Sequence, residues 1–186
     1  MEDVFIPPDS QMRLLKLARQ TLEDFVRGAE RHVEGVSDPY LQICDYGAFV
    51  SLHRRQTLRG CIGNCAPHAR LYEVVIEMTE AAASRDSRMA PISKDELYDI
   101  RIDITVLSPL VRVQDPLALQ VGKHGLHIAQ GARRGVLLPQ VATQHEWDMK
   151  TFVEQTCVKA GLRKSAWKDP RTEISAFTGL IIEEHP

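Results

Sequence analysis

The segment from Ile100 to Val106 constrains the fold of this chain most strongly. Isoleucine or valine stands at every second position, and Arg101, Asp103 and Thr105 stand between them. Successive side chains of a strand point to opposite faces of a sheet, so this alternation predicts a strand with one apolar and one polar face. Such a sheet buries its apolar face against helices, and amphipathic segments are therefore expected elsewhere in the chain.

Longer segments of the chain have the apolar spacing of helices that pack on a sheet. They cover residues 10–31, 70–84 and 149–160. Asp9 or Ser10 is expected to cap the first helix and Asp148 the last, because their side-chain oxygens can accept hydrogen bonds from free helical N–H groups. Gly161 is placed where a helix ends in the left-handed conformation.

Shorter elements complete the prediction. Brief helices are expected where Ser93 and Glu96 have capping-box spacing and where Asp115 precedes Pro116. Apolar runs between turn residues predict further strands at residues 40–44, 47–53, 57–63, 125–130, 135–138 and 174–182. Helices interspersed with hairpins indicate the α+β class, with a mixed β-sheet packed by helices. We expect one domain over residues 1–186, with two subdomains in it.

Composition narrows the class of protein. The formal net charge is −2, which predicts no long-range attraction to nucleic acid or to an anionic membrane. No apolar stretch has the length of a membrane span, and the N-terminus does not resemble a signal peptide, so we expect a cytoplasmic protein. Cys44, Cys61, Cys65 and Cys157 are therefore expected to be thiols.

The segment Thr57–Asn64 is the strongest candidate for chemistry. In a regular strand Arg59 and Cys61 share one face, about 7 Å apart, while Leu58 and Ile62 share the other. A guanidinium beside a thiol favours the nucleophilic thiolate. The helix predicted after this strand adds free N–H groups, which could stabilise an anion. Cys61 and Arg59 are therefore candidate catalytic residues, although no partner base is identifiable nearby.

A structural role for the same segment remains open. Gly60 and Gly63 could admit a ligand beside the thiol, but they could equally admit a helix that crosses a tight core strand. Free cysteine is often buried as a small apolar residue.

No metal or cofactor site is predicted. Cys61, Cys65 and His68 have a metal-like spacing, but a structural zinc site usually needs four ligands, and no convincing fourth follows. No phosphate-binding glycine loop or dinucleotide fingerprint is present. His127 could serve as a base for Cys61 only if the fold brings the two together. Two predicted basic hairpin tips, Arg54-Arg55 and Arg133-Arg134, could hold phosphate groups, although solvated turn residues are the default.

Several motifs together resemble the AMMECR domain family, whose prokaryotic form is known as protein A of the AmmeMemoRadiSam system. The main ones are Leu58-Arg-Gly-Cys-Ile-Gly63 and Gly135-Val-Leu-Leu-Pro-Gln-Val-Ala142. Others are Asp86-Ser-Arg88, Asp99 to Pro109, Trp147-Asp148, Cys157 to Leu162 and Trp167. The resemblance runs from about residue 10 to residue 183.

The resemblance implies an α+β fold with two subdomains around a mixed sheet. It also implies partners of the Memo type and the radical-SAM type, and an action on RNA or a nucleotide. Arg59 and Cys61 lie on the family signature, Asp86 and Arg88 match an acidic-x-Arg loop, and Gln140 matches the Leu-Leu-Pro-Gln motif. Asp86, Arg88 and Gln140 are thus candidate substrate-binding residues.

One position departs from the family pattern. An aromatic residue commonly follows the acidic-x-Arg loop, and methionine stands there in this chain. The change puts stacking of a base on that loop in doubt.

Two hypotheses of function follow. The first is a cysteine-dependent enzyme, or a component of nucleic-acid or base modification, in which Cys61 is the nucleophile. The second is a non-catalytic binding or adaptor domain in which Cys61 is structural.

Overall fold

The computed structural model describes residues 1–30, 35–67 and 69–185. The chain divides into two compact units. Unit A comprises the described residues of 4–107 and 180–185, and unit B comprises residues 1–3 and 108–179. The segment that carries Cys61 belongs to unit A, and the segment that carries Gln140 belongs to unit B.

Unit A is built on an antiparallel sheet covered by helices. Its elements are helix α1 (Pro8–Arg27), strands β1 (Gly47–Arg54) and β2 (Thr57–Asn64), helix α2 (Leu71–Ser84), a 3-10 helix (Lys94–Asp99) and strand β3 (Ile100–Leu107). Strand β1 lies between β2 and β3 and pairs with each of them in the antiparallel sense. The last residues of the chain also belong to this unit, and the Glu184 amide donates to the Ile102 carbonyl of β3.

Unit B is also built on antiparallel strands. Its elements are β4 (Val111–Arg112), a 3-10 helix (Pro116–Ala118), β5 (His124–Gln130), β6 (Arg133–Leu137), α3 (Pro139–Gln144), α4 (Met149–Lys159), a 3-10 helix (Lys164–Lys168) and β7 (Glu173–Glu183), whose last residues belong to unit A. Strand β5 lies between β6 and β7, and β4 pairs with β7. The α+β class is confirmed, although the sheet is antiparallel and not mixed: the strand pairs within each unit that are described above are all antiparallel.

The apolar face predicted from β3 forms the core of unit A. Ile102 and Ile104 are fully buried, together with Val50 and Leu52 on β1. Helix α2 buries the stripe expected for it, with Leu71, Val74, Val75, Met78 and Ala81 to Ala83 all buried. Glu184 and Arg19 form an ion pair at the end of this layer.

Helix α1 departs from its prediction at both ends. It begins at Pro8 without a side-chain cap, so neither Asp9 nor Ser10 has the expected role; Ser10 instead donates a hydrogen bond to Asp38 at 2.9 Å. It ends at Arg27, because Gly28 takes the left-handed conformation with φ 70°. The predicted end at residue 31 lies outside the described residues.

The predicted strand at residues 40–44 is wrong. The Leu41 amide donates to the Asp38 carbonyl, and the Asp38 carboxylate accepts from the Tyr40 amide, so the segment is a turn. The carbonyls of Leu41 and Ile43 accept the amides of Tyr72 and Leu71 at the start of α2. These carbonyls satisfy helical N–H groups instead of a strand partner, which an apolar run does not reveal.

The end signals elsewhere are confirmed. Ser93 and Glu96 form both bonds of a capping box. Asp115 accepts from the Leu117 amide at 3.0 Å, and Asp148 accepts from the Thr151 amide at 2.7 Å. Helix α3 and strand β4 were not predicted. In the parts of the chain that the structure describes, no helix is both long and apolar enough to cross a membrane.

Candidate functional site

Cys61 lies on β2, at the edge of the sheet in unit A. Its amide donates to the Asp86 carboxylate at 2.9 Å, and its carbonyl accepts from Arg88 Nη2 at 3.4 Å. Both backbone groups therefore point away from β1 and toward the loop that follows α2. This loop fixes the backbone on which the thiol is carried.

Asp86 is the anchor of that loop. It is only 5% exposed, and its two oxygens accept from the backbone amide, Nε and Nη2 of Arg88 at 3.2, 2.8 and 2.6 Å. The Arg88 guanidinium holds the pKa of Asp86 well below its usual range, and the Cys61 amide adds to this effect although burial opposes it. Asp86 is thus a fixed anion, and the ion pair raises the pKa of Arg88.

Arg59 is engaged away from the thiol. Its Nε and Nη2 donate to the two oxygens of Glu96 at 2.7 and 3.0 Å, and Nη1 donates to the Ala90 carbonyl at 2.7 Å. This pairing lowers the pKa of Glu96 to about 2. Arg59 therefore ties β2 to the segment before β3.

The position of Arg59 follows from an irregularity in the sheet. Leu52 pairs with Gly60, but the next residue of β1 pairs with Leu58, so Arg59 has no cross-strand partner in the β1–β2 register. Such a bulge breaks the regular alternation of side chains. The expected sharing of one face by Arg59 and Cys61 assumed an unbroken strand. The guanidinium that contacts Cys61 is the one on Arg88.

The glycines of the motif admit protein groups. A Cβ atom on Gly60 would lie 2.1 Å from the Ala82 carbonyl oxygen of α2, and one on Gly63 would lie 2.2 Å from the Phe49 ring. The first amides of α2 donate to carbonyls before it, so they are not the oxyanion donors that we expected. The tight crossing of a helix over the strand, one of the two alternatives for these glycines, is what the structure has.

The thiol of Cys61 faces the polar side of the sheet. Because its backbone groups point away from β1, Cys61 and Ser51 form a non-hydrogen-bonded pair, in which opposite side chains approach most closely. Ser51 Oγ donates to Cys61 Sγ at 3.2 Å. Cys61 is partly exposed, so the thiol is not sealed in the core.

A histidine and a carboxylate lie on the same face. Ser51 is opposite Asp103 on β3, and His53 lies two residues further along β1. His53 Nε2 is 3.2 Å from Asp103 Oδ2, which also accepts from Arg101 at 3.3 Å. Burial raises the pKa of Asp103, although His53 and Arg101 oppose this. We define the polar row as Cys61, Ser51, Asp103 and His53.

Sequence reasoning missed three members of the polar row. The alternation that predicted β3 marked Asp103 as part of a polar face, and Ser51 and His53 have the same spacing in β1. What the pattern lacked was the pairing order of the strands, which places β1 between Cys61 and Asp103.

The remaining candidates belong to other segments of the chain. Gln140 is in the first turn of α3 and His127 is on β5, both in unit B. Burial raises the pKa of Cys65 to about 11, and Cys157 is fully buried, as expected of a core residue. Among the described residues, which exclude His68, no group of three or more histidine, cysteine, aspartate or glutamate side chains could hold a metal ion.

Comparison with known proteins identifies the family. The model of the AMMECR1 family matches residues 15–182, which is most of the chain. The chain belongs to the AMMECR1 family. The resemblance inferred from the hexapeptide and the later motifs is thereby confirmed.

Relatives of this AMMECR1 chain include archaeal proteins. One from Methanothermobacter thermautotrophicus is 37% identical over 184 residues, 95% of each chain. One from Thermococcus kodakarensis is 37% identical over 182 residues, which are 92% of this chain and 88% of the relative. The crystal structure of an uncharacterized protein from Pyrococcus horikoshii matches with a TM-score of 0.88 and 32% identity, over 97% of this chain and 94% of that one.

Proposed function

We propose that this AMMECR1 protein is a cysteine-dependent enzyme and that its nucleophile is Cys61. The observation that carries the proposal is the polar row. Its thiol is partly exposed, accepts a hydrogen bond from Ser51, and lies on the same sheet face as the His53–Asp103 pair. A nucleophile and a base oriented by a third group are the recurring parts of covalent catalysis.

Each member of the polar row has a distinct task. The Cys61 sulfur attacks an electrophilic carbon of the substrate, and His53 accepts the thiol proton and returns it to the leaving group. His53 is the diagonal neighbour of Cys61, a separation of about 7–8 Å between Cα atoms, so the substrate or a water molecule completes the contact. Asp103 orients the His53 ring, and Ser51 directs the thiol.

The charged residues around the motif support the thiol indirectly. Asp86 and Arg88 hold the backbone of Cys61, and Arg59 holds the neighbouring segment through Glu96. Gln140 as a substrate contact, RNA or a nucleotide as the substrate class, and partners of the Memo and radical-SAM types stay predictions from the family resemblance.

The second candidate is a non-catalytic binding or adaptor domain. It is favoured by the fact that Arg59, Asp86 and Arg88 are paired with protein groups, as a purely structural motif would be. The two candidates differ in what they require of the thiol. Only the enzyme requires Cys61 to react faster than its exposure alone predicts.

We expect Cys61 to be alkylated by iodoacetamide at pH 7 at least as fast as Cys44, which is exposed. Cys65 should react only toward alkaline pH, because burial raises its pKa to about 11. Peptide mass spectrometry of the intact chain after timed labelling measures these sites together. Slower labelling of Cys61 than of Cys44 at every pH from about 6 to about 9 would contradict the enzyme and favour the adaptor.

Two variants separate activation from access. His53→Gln keeps a polar side chain on the same face but removes the base, and we expect it to slow the labelling of Cys61 roughly tenfold or more while that of Cys44 is unchanged. His124→Gln is the matched control, because that histidine belongs to unit B and accepts a hydrogen bond from the Gln120 amide. Equal effects of the two substitutions on Cys61 would exclude His53 as its base.

A further inference from the structure

Unit B carries a polar depression that the proposed chemistry does not use. Leu126 and Ile128 of β5 are fully buried, so the alternate residues His127 and Ala129 lie on the opposite face of the sheet. A cavity of about 360 Å³ opens on that face. It is lined by His127, Ala129, Gly131, Arg134, Arg171 and Glu173.

The depression has a simple geometric cause. Ala129 pairs with Arg134 on β6 and with Glu173 on β7. Because the alanine side chain is much shorter than the arginine and glutamate side chains on either side of it, a depression forms above Ala129. His127 lies two residues away on the same face and borders one end. The volume is at the lower end of the range of about 300–1,000 Å³ that is typical of small-ligand sites.

The walls carry charges of both signs. Arg134 forms no ion pair with a carboxylate in the parts of the chain that the structure describes, so its donors can serve a ligand. Arg171 uses Nε and Nη2 on Asp169, at 3.1 and 2.7 Å. Glu173 lies across Ala129 from Arg134. Its Oε1 is 4.0 Å from Arg112 Nη1, which is a long distance for an ion pair.

We propose that this depression binds a small phosphorylated ligand that also carries hydroxyl groups. Arg134 and Arg171 donate to the phosphate oxygens, because guanidinium groups match a phosphate geometrically and electrostatically. Glu173 disfavours a bare anion but accepts hydrogen bonds from hydroxyl groups beside the phosphate. A sugar phosphate has this combination of groups in a volume of the right order.

His127 provides a signal for occupancy. Burial and the charge of Arg134 lower its pKa, and Glu173 opposes them. Of the residues opposite His127 on the adjoining strands, Val136 and Ser175 do not titrate near neutral pH. A phosphate held by Arg134 offsets the positive charge, so binding should raise the pKa of His127.

The test is an NMR titration of the full chain with ribose 5-phosphate and, separately, with inorganic phosphate. We expect the NMR signals of Ala129 and Arg134 to shift and the pKa of His127 to rise. Ribose 5-phosphate should bind more tightly than inorganic phosphate. Arg134→Gln should weaken both ligands roughly tenfold or more. Arg133→Gln is the matched control, because Arg133 alternates to the other face and donates to the Gly161 carbonyl at 3.1 Å.

Glu173→Ala tests the hydroxyl contact on its own. It should strengthen the binding of inorganic phosphate, because the carboxylate no longer repels the anion. It should also abolish the preference for ribose 5-phosphate, because the sugar hydroxyl groups lose their hydrogen-bond acceptor. Equal losses in Arg133→Gln and Arg134→Gln, or no shifts with either ligand, would overturn the proposal. If a single-stranded RNA binds more tightly than ribose 5-phosphate and its binding also requires Arg134, the site recognises a nucleic-acid phosphate, and the proposal of a small ligand is overturned. A thermal melt without ligand confirms that each variant is folded.

Discussion

Replacing Gly60 with alanine is expected to destabilise the protein by about 3 kcal/mol. The added Cβ atom would lie 2.1 Å from the Ala82 carbonyl oxygen. That oxygen belongs to the backbone of α2, whose buried stripe fills the core of unit A, so it cannot move aside as a flexible side chain would. The substitution forces the helix and the strand apart and loosens the packing between them.

Thermal unfolding followed by circular dichroism measures this effect. A loss of about 3 kcal/mol corresponds to a fall in Tm of about 6–12 °C for a chain of this length. Gly35→Ala is the control, because its Cβ would have no atom within 4 Å and its φ is not positive. A Gly60→Ala protein that melts with the parent would show that the close crossing of α2 over β2 is wrong.

Replacing Asp86 with alanine is expected to cost about 2–4 kcal/mol at pH 7. The change leaves the Cys61 amide without its acceptor and leaves Arg88 without its carboxylate partner. We place the cost below that of a fully buried pair, since the Arg88 side chain is 52% exposed and water can replace part of the lost interaction. Urea unfolding at constant pH measures the free energy of unfolding.

The chain contains a matched control for Asp86. Asp169 accepts from the amide, Nε and Nη2 of Arg171 in the same local arrangement, but no bond from a strand amide to Asp169 is seen within the described residues. Asp169→Ala should therefore change stability far less than Asp86→Ala. Equal costs would mean that the bond to Cys61 contributes nothing.

The cost of Asp86→Ala should also depend on pH. The folded pKa of Asp86 lies below its unfolded value, so its contribution is complete above about pH 5 and is lost as the pH falls toward the folded pKa. The difference in unfolding free energy between the parent and Asp86→Ala should thus shrink between pH 5 and pH 3. Glu96, whose pKa is lowered to about 2, adds to the acid sensitivity that remains in the variant.

Local patterns predicted the elements whose causes are local. The alternation in β3, the apolar stripe of α2 and the caps at Ser93, Asp115 and Asp148 each depend on residues close together in the chain, and all are confirmed. The segment at residues 40–44 failed because its carbonyls are used by α2, some 30 residues later. No local pattern records such a partner.

In the candidate site, too, some features could be predicted from the sequence and others depend on the tertiary structure. Cys61, Asp86 and Arg88 were identified from the sequence, and the structure brings them into contact. Glu96 as the partner of Arg59 depends on a bulge, and the polar row depends on strand order. Both are tertiary properties, so neither followed from residue spacing.

The position of β2 at the end of the strand order has a consequence for self-association. An edge strand offers unpaired N–H and C=O groups to any other extended chain, and an exposed edge of this kind is a site at which aggregation can begin. At Cys61 both groups are already taken, by Asp86 and by Arg88, and a charged loop lies over the edge. The loop therefore protects this sheet from growing by addition of another molecule.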